Sequence, residues 1–351
     1  MKKFFSKYWL FILLATLATI LAGFYFKNKV SRPEITEKLL LLPTLEIESH
    51  PIQIKPNLSQ LEKNLPSFKL KIEVYQIDSS SLSDQKTLSI AKSFGFQNPP
   101  NVLRNQKGEL SYNWADEEKN LSINLHQGTI NYDLNISEHP EFIKGELPQI
   151  SEVEERVKLF LKENYFLTEG IELKTKDIYF VKNFFPYFSK VDKKEEADLI
   201  QTNFEYQDNG RKIITAGDYP PTISIIIGPE FKIVNFNYYF LFSKIEVLPD
   251  LYPTKTRGDI TNYLSKNPAI SYFISNQTSL DDTNILTTKE YSQLITSYSF
   301  NNIELVYYKY DPLQTYLQPV FLITGKATLK DGQQGEVGLY LPAIKDEYLL
   351  K

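Results

Sequence analysis

Between Thr315 and Ile344 the chain reads TYLQPVFLITGKATLKDGQQGEVGLYLPAI, two alternating runs around an Asp331-Gly332 turn. Period-two alternation held for this long is satisfied by a β-hairpin and by little else, because successive strand residues project to opposite faces. Phe321, Ile323, Ala327 and Leu329 fall on one face of the first strand, answered by Val337, Leu339 and Leu341 on the second. Lys326, Thr328 and Glu336 are left for solvent. Pro319 reads as a strand start, where a missing amide donor is tolerated.

The same grammar recurs upstream. In LSINLHQGTINYDL, Leu121, Ile123 and Leu125 oppose Ile130, Tyr132 and Leu134 across a tight turn at Gly128. Ile200, Thr202, Phe204 and Tyr206 alternate into the turn QDNGRK, and the run Ile225-Ile226-Ile227 implies burial on both faces. A helix precedes each set of strands. The first starts at Ser83-Asp84, carries Leu88, Ala91 and Phe94, and stops at Gly95. The second opens on a Ser151/Glu154 capping-box pattern with an apolar stripe of Val153, Val157, Phe160, Leu161 and Tyr165. The third opens on Thr256 and Asp259, carries Ile260, Tyr263 and Leu264, and ends at Asn267-Pro268. The expected fold class is therefore α+β, with tandem helix-plus-antiparallel-sheet modules over 67–148, 149–250 and 251–351.

Two segments precede those modules. Residues 8–26, YWLFILLATLATILAGFYF, hold no charge over 19 positions. At 1.5 Å per residue such a helix spans the ~30 Å hydrocarbon core, with aromatic residues at both ends for the interfaces. A cleaved leader fits less well, since no small-x-small site follows. Residues 1–32 therefore read as a short cytoplasmic tail and an N-terminal transmembrane helix. The five prolines of 33–66 (Pro33, Pro43, Pro51, Pro56 and Pro66) read as an extended stalk.

Charge supports a single orientation. Residues 1–32 hold six bases and no acid, and the remaining 33 bases face 43 acids, a formal charge of about −10. Lys2, Lys3, Lys7 and the terminal amine outweigh Lys27, Lys29 and Arg32, which Glu34 and Glu37 partly offset, so the positive-inside rule leaves the body extracytoplasmic in a single-pass cell-membrane protein. An acidic body argues against nucleic acid as a partner, because phosphate binding needs concentrated Lys and Arg. With no cysteine, the chain has no disulfide, thiolate metal site or cysteine nucleophile.

Motifs for chemistry are missing. The closest approach to a metal set is His126, Glu138, His139 and Glu141, but no helical His spacing joins them. They read as solvated or locally bonded side chains. Asp116-Glu117-Glu118 and Asp281-Asp282-Thr283-Asn284 lack the ligand pattern of a calcium loop. Neither a Gly-x-Ser-x-Gly elbow nor a glycine-rich phosphate loop occurs, and Thr256-Arg257-Gly258-Asp259 is explained as a helix start. The expectation is a chain with no catalytic, cofactor-binding or metal residues, and no enzymatic activity. Tyr307, Tyr308, Tyr310 and Tyr316 are the candidate partner-binding surface, since tyrosine offers contact area at low entropic loss. Core and cross-strand packing is the plainer account of the same four residues.

Residues 200–345 resemble extracytoplasmic regulators of the YycH/YycI type and, more loosely, PepSY-like repeats. The carriers are IQTNFEYQDNGRKI, TISIIIGPEFKIVNFNYYF and IELVYYKYDPLQTYLQPVFLITGKATLKDGQQGEVGLYLPAI. The resemblance implies a single-pass membrane protein that modulates a sensor kinase or another envelope partner and is not an enzyme. It supplies no catalytic residue. An envelope hydrolase whose carboxylates meet only in the fold, and a structural envelope protein, are the alternatives. Protease added to intact cells is expected to digest the body; full protection would contradict the orientation.

Overall fold

The computed structural model describes residues 39–64, 71–78, 82–106, 108–126, 128–164, 166–167, 171–184, 187–215, 223–239, 244–275, 287–310 and 314–350. Residues 8–26 lie outside these, and among the described residues no helix is long and apolar enough to cross a membrane. Leu41–Lys351 forms one compact unit.

The chain opens with β1 (His50–Pro51), α1 (Ser59–Asn64), β2 (Lys71–Ile72), β3 (Tyr75–Asp78) and α2 (Asp84–Ser93). A meander of β4 (Asn101–Arg104), β5 (Leu110–Ala115), β6 (Lys119–Asn124) and β7 (Thr129–Leu134) leads to α3 (Ile150–Glu163). Next come β8 (Glu172–Phe184), β9 (Tyr187–Val191), β10 (Leu199–Asp208) and β11 (Arg211–Thr215), then β12 (Ile223–Ile227), β13 (Ile233–Tyr239), β14 (Lys244–Val247) and β15 (Tyr252–Pro253). The last part holds α4 (Arg257–Lys266), β16 (Ala269–Ile270), β17 (Tyr272–Ser275) and α5 (Thr288–Leu294), followed by the long strands β18 (Ile295–Lys309), β19 (Tyr316–Leu329) and β20 (Gln334–Pro342).

Strand predominates, and sixteen of these strands belong to one branched, mixed sheet. This corrects the expected α+β class of tandem helix-plus-antiparallel-sheet modules. β7 pairs with β13, and β11 pairs in parallel with β18, so strands of each expected module hydrogen-bond into the next. The reason is an edge problem. The four-stranded meander leaves an unpaired row of amides and carbonyls on β7, and here that edge is satisfied by β13 from the neighbouring segment.

The sheet divides into two wings at β10. One edge of β10 takes β8, while the other takes β12 along its first half and its own hairpin partner β11 at its end. The first wing runs β9-β8-β10-β12-β13-β7-β6-β5-β4; the second runs β11-β18-β19-β20-β17. In the first wing, Leu121, Ile123, Ile130 and Tyr132 face Ile90 and Ala91 of α2 and Val153, Val157 and Leu161 of α3 in one core. Phe94 stacks on Tyr132 at 4.4 Å and sits 5.3 Å from Phe236. Leu88, by contrast, is exposed, so the stripe of α2 runs through Thr87, Ile90 and Ala91. Ile225 and Ile227 enter this core and Ile226 the opposite side, as their unbroken apolar run requires.

The second wing is buried on both faces. Phe321, Ile323, Ala327, Leu329, Val337, Leu339 and Leu341, the two answering sets of the hairpin, make one core, with Phe321 opposite Leu341 and Ile323 opposite Leu339. Val320, Leu322 and Tyr340 make the other, with Leu45 over them. Residues expected as a free stalk therefore act as a strap. Gln318 Nε2 donates to the Pro43 carbonyl at 2.7 Å, β1 pairs with β16, and Ile52 and Leu61 are buried. Prolines suit a strap that pairs through only some of its amides.

Local signals fared unevenly. The Thr256/Asp259 capping box is formed, and a second joins Thr287 to Glu290. α3 instead begins one residue before Ser151, with Gln149 at its cap, and Glu154 is occupied by Lys158 Nζ at 2.7 Å and Thr175 Oγ1 at 2.6 Å. Long-range partners outcompeted the local cap.

Two substitutions test this packing. A Cβ on Gly338 would overlap the Tyr272 ring that lies across β20. Gly338→Val is expected to destabilise the protein by about 1–3 kcal/mol, read from denaturant midpoints; an unchanged midpoint would contradict the contact. Tyr75 lies at the joint between the wings and donates its hydroxyl to Asp208. Burial, then the hydrogen bond to Asp208, pushes its pKa up to about 12. The neutral phenol is the form the fold favours. Its contribution is complete below pH ~10 and is lost as pH rises through the folded value. Tyr75→Phe is expected to flatten the alkaline loss of stability between pH 10 and 12 by about 1.4 kcal/mol per pH unit, one proton's worth.

Candidate functional site

The four candidate tyrosines do not form a surface. Tyr307 and Tyr308 are adjacent strand residues, so they project to opposite faces of β18, and both faces are covered. Tyr307 packs edge-on against Tyr75 at 4.9 Å and donates its hydroxyl to the Glu73 carbonyl at 3.2 Å. Tyr308 lies 5.0 Å from Tyr340 and 6.3 Å from Tyr310. Burial pushes the phenols of both up, Tyr308 to about 12. Tyr310 and Tyr316 are half-buried at the two ends of the connection. Gln314 fixes that connection, donating to Tyr308 O at 2.9 Å and accepting from Tyr310 N at 2.8 Å. Packing is what these residues do.

The open surface lies on the first wing. Helices α2 and α3 cover one face, which takes the apolar member of each alternating pair. The intervening residues project from the other face. Strand register places them in rows running across the sheet. One row reads Asp177, Asn203, Ser224, Asn237, Asn131, Ser122, Asn113 and Asn101, one residue from each of eight neighbouring strands. A second reads Tyr179, Gln201, Ile226, Asn235, Asp133, Asn120 and Ala115. A third reads Tyr239, Thr129, Asn124, Ser111 and Leu103.

The chemistry of these rows is unusual for a sheet face. Solvated strand positions favour threonine, β-branched residues and long charged side chains, whereas asparagine is depleted, because its amide competes with the backbone for hydrogen bonds. Here short amides and hydroxyls fill the centre, and Asp133 and Asp177 are the only carboxylates in the three rows. The amides are held in place by each other. Asn237 Nδ2 donates to Asn235 Oδ1 at 2.6 Å, and Asn235 Nδ2 to Asp133 Oδ1. Gln201 Nε2 reaches both Asn203 Oδ1 at 3.1 Å and Ser224 Oγ at 3.0 Å. Asn203, 5% exposed, donates to Asp177 Oδ1 at 2.6 Å. Asn120, Asn131, Asp133 and Tyr239 are exposed, so the rows open to solvent over β6, β7 and the end of β13.

This surface was missed from sequence because only the apolar half of each alternation was followed. Its signal was present in the other half: Asn120, Ser122 and Asn124 between Leu121, Ile123 and Leu125, and Asn235 and Asn237 around Phe236.

The remaining chemical candidates fall elsewhere. His126 pairs with Glu109 at 3.7 Å and His139 with Glu141 at 3.0 Å. The hydrogen bond from Glu141 raises the His139 pKa. Among the described residues no group of three or more His, Asp or Glu is placed to hold a metal ion. Asp116 closes the β5–β6 turn by accepting from the Glu118 and Lys119 amides at 3.0 and 2.9 Å. Asp281 and Asp282 lie outside the described residues. An open cleft of about 400 Å³ between α4 and the C-terminal turn is lined by Lys255, Asp259, Lys345 and Asp346. There, Lys255 Nζ is taken by the Ile344 carbonyl and Asp346 Oδ1, both at 2.7 Å.

No family model matches this chain, and no curated protein matches it. Among solved structures, it is similar to an uncharacterized protein from Eubacterium rectale ATCC 33656, at 14% identity and a TM-score of 0.45, covering 78% of this chain and 82% of that one.

Proposed function

We propose that this chain is a non-enzymatic, extracytoplasmic binding or regulatory protein whose recognition surface is the amide-lined face of the first wing. The observation that carries this reading is the uninterrupted polar row from Asp177 to Asn101 across eight strands. Asparagine in strand centres opposes β-propensity, so its repetition at register-matched positions calls for a reason beyond folding. Recognition supplies one: side chains that both donate and accept, immobilised on a rigid backing, bind a partner with little further ordering. The likeness of residues 200–345 to envelope regulators supports the same class of role at the cell envelope.

Site-directed crosslinking tests the reading. A photoreactive residue in place of the exposed Asn131 is expected to capture the partner in intact cells, whereas one in place of Asp331, in the exposed β19–β20 turn, is expected to capture none. Equal capture from both positions, or capture from 331 alone, would contradict it.

A further inference from the structure

We infer that the ligand of this face is a neutral, polyhydroxylated polymer, a glycan chain laid across the strands; the inference rests on the face being the recognition surface. Functional groups on the face decide the class. A carboxamide presents two donors and an acceptor, and a serine or threonine hydroxyl presents both, which is the hydrogen-bonding character of sugar hydroxyls. Charged ligands fit poorly. The rows contain no Lys or Arg, and their two carboxylates, Asp133 and Asp177, repel phosphate, nucleic acid and anionic polymers.

A protein partner fits less well than a glycan. Protein interfaces concentrate their energy in buried Trp, Tyr, Arg and apolar anchors. On these rows Ile226 is itself buried, at 4% exposure, and Leu103 stands alone at the edge strand. An extended peptide would instead be read along a free strand edge through its backbone. The exceptions are Tyr179, half-buried with Lys190 Nζ 5.1 Å above its ring, and Tyr239, 36% exposed at the end of the third row. A tyrosine there combines an apolar ring for the C–H face of a sugar with a polar tip.

Repetition points the same way. Neighbouring strands lie about 4.8 Å apart, so the long row offers similar polar groups at regular intervals. A receptor of repeated, similar groups suits a ligand built from repeated, similar units. The internal amide bonds keep these groups from collapsing onto solvent-averaged rotamers, which limits the entropy lost on binding.

Affinity electrophoresis of the full chain in gels containing dextran, glucomannan or soluble chitin oligosaccharides tests the inference, with heparin and polyphosphate as anionic probes. At least one neutral glycan is expected to retard the protein, with retardation unchanged from about 0.05 to 0.5 M salt. Asn131→Lys with Asn237→Lys is expected to abolish that retardation, and Tyr239→Ala to weaken it about tenfold; thermal melting identifies any variant that has lost its fold. Glycan retardation that survives Asn131→Lys/Asn237→Lys in a folded variant would overturn the inference, as would retardation confined to the anionic polymers and abolished by salt. If no neutral glycan retards the chain while the crosslinker at 131 still captures a protein, the glycan assignment falls and the recognition face stands. If both readouts fail, the face itself is wrong.

Discussion

Everything in this fold passes through the reversal at Asn209 and Gly210. Both residues adopt positive φ, at 47° and 77°, which turns β10 back as β11 within two residues. Asparagine and glycine are the residues that accept this conformation most readily. β11 pairs with β10 only from Asp208 back to Tyr206, and its stretch from Ile213 to Thr215 pairs in parallel with β18 to start the second wing. Side chains lock the joint. Tyr75 donates to Asp208, Arg211 meets Glu73 at 3.5 Å, and Tyr307 reaches the Glu73 carbonyl. This turn joins the second and third expected modules in one sheet, as the β7–β13 pairing joins the first and second.

The two wings use that sheet differently. On the second wing both faces are buried, which makes it the stiff part of the structure. Strap residues such as Leu45 complete it. On the first wing one face is committed to an aromatic core, in which Tyr206 and Tyr238 both donate to the Phe166 carbonyl at 2.8 and 2.7 Å. Burial raises the Tyr238 pKa well above its ordinary range, so this polar contact stays neutral inside the core. A face backed so firmly can carry asparagine at its strand centres without losing register. The polar rows are a consequence of rigidity on the other side.

Much of the local structure was legible in the sequence, because it depends on neighbours along the chain. The hairpins at 119–134 and 316–342, the turn at 209–210 and the capping box at Thr256 all follow from alternation, turn residues and cap chemistry. What was not legible depends on edges and coverage. Nothing in β7 says that β13, about a hundred residues later, satisfies its free edge, and nothing in Tyr308 says that Leu45 belongs to the same cluster. The strap has no pattern of its own, since its pairing follows the groove it fills. The candidate site was half legible: of the four tyrosines, Tyr307 and Tyr308 are core and Tyr310 and Tyr316 half-buried, as the plainer packing account had it, while the polar partners of correctly read apolar positions formed the exposed face.

The central claim is that recognition occurs on the polar rows of the first wing. Side-chain amide resonances of asparagine and glutamine, followed by NMR while a neutral glycan is titrated in, report on it directly. The account predicts shifts in Asn131, Asn235, Asn237 and Asn120, with Gln314 and Gln318 in the second wing unmoved. Shifts confined to the second wing or to the cleft beside α4, with the row amides unchanged, would contradict it.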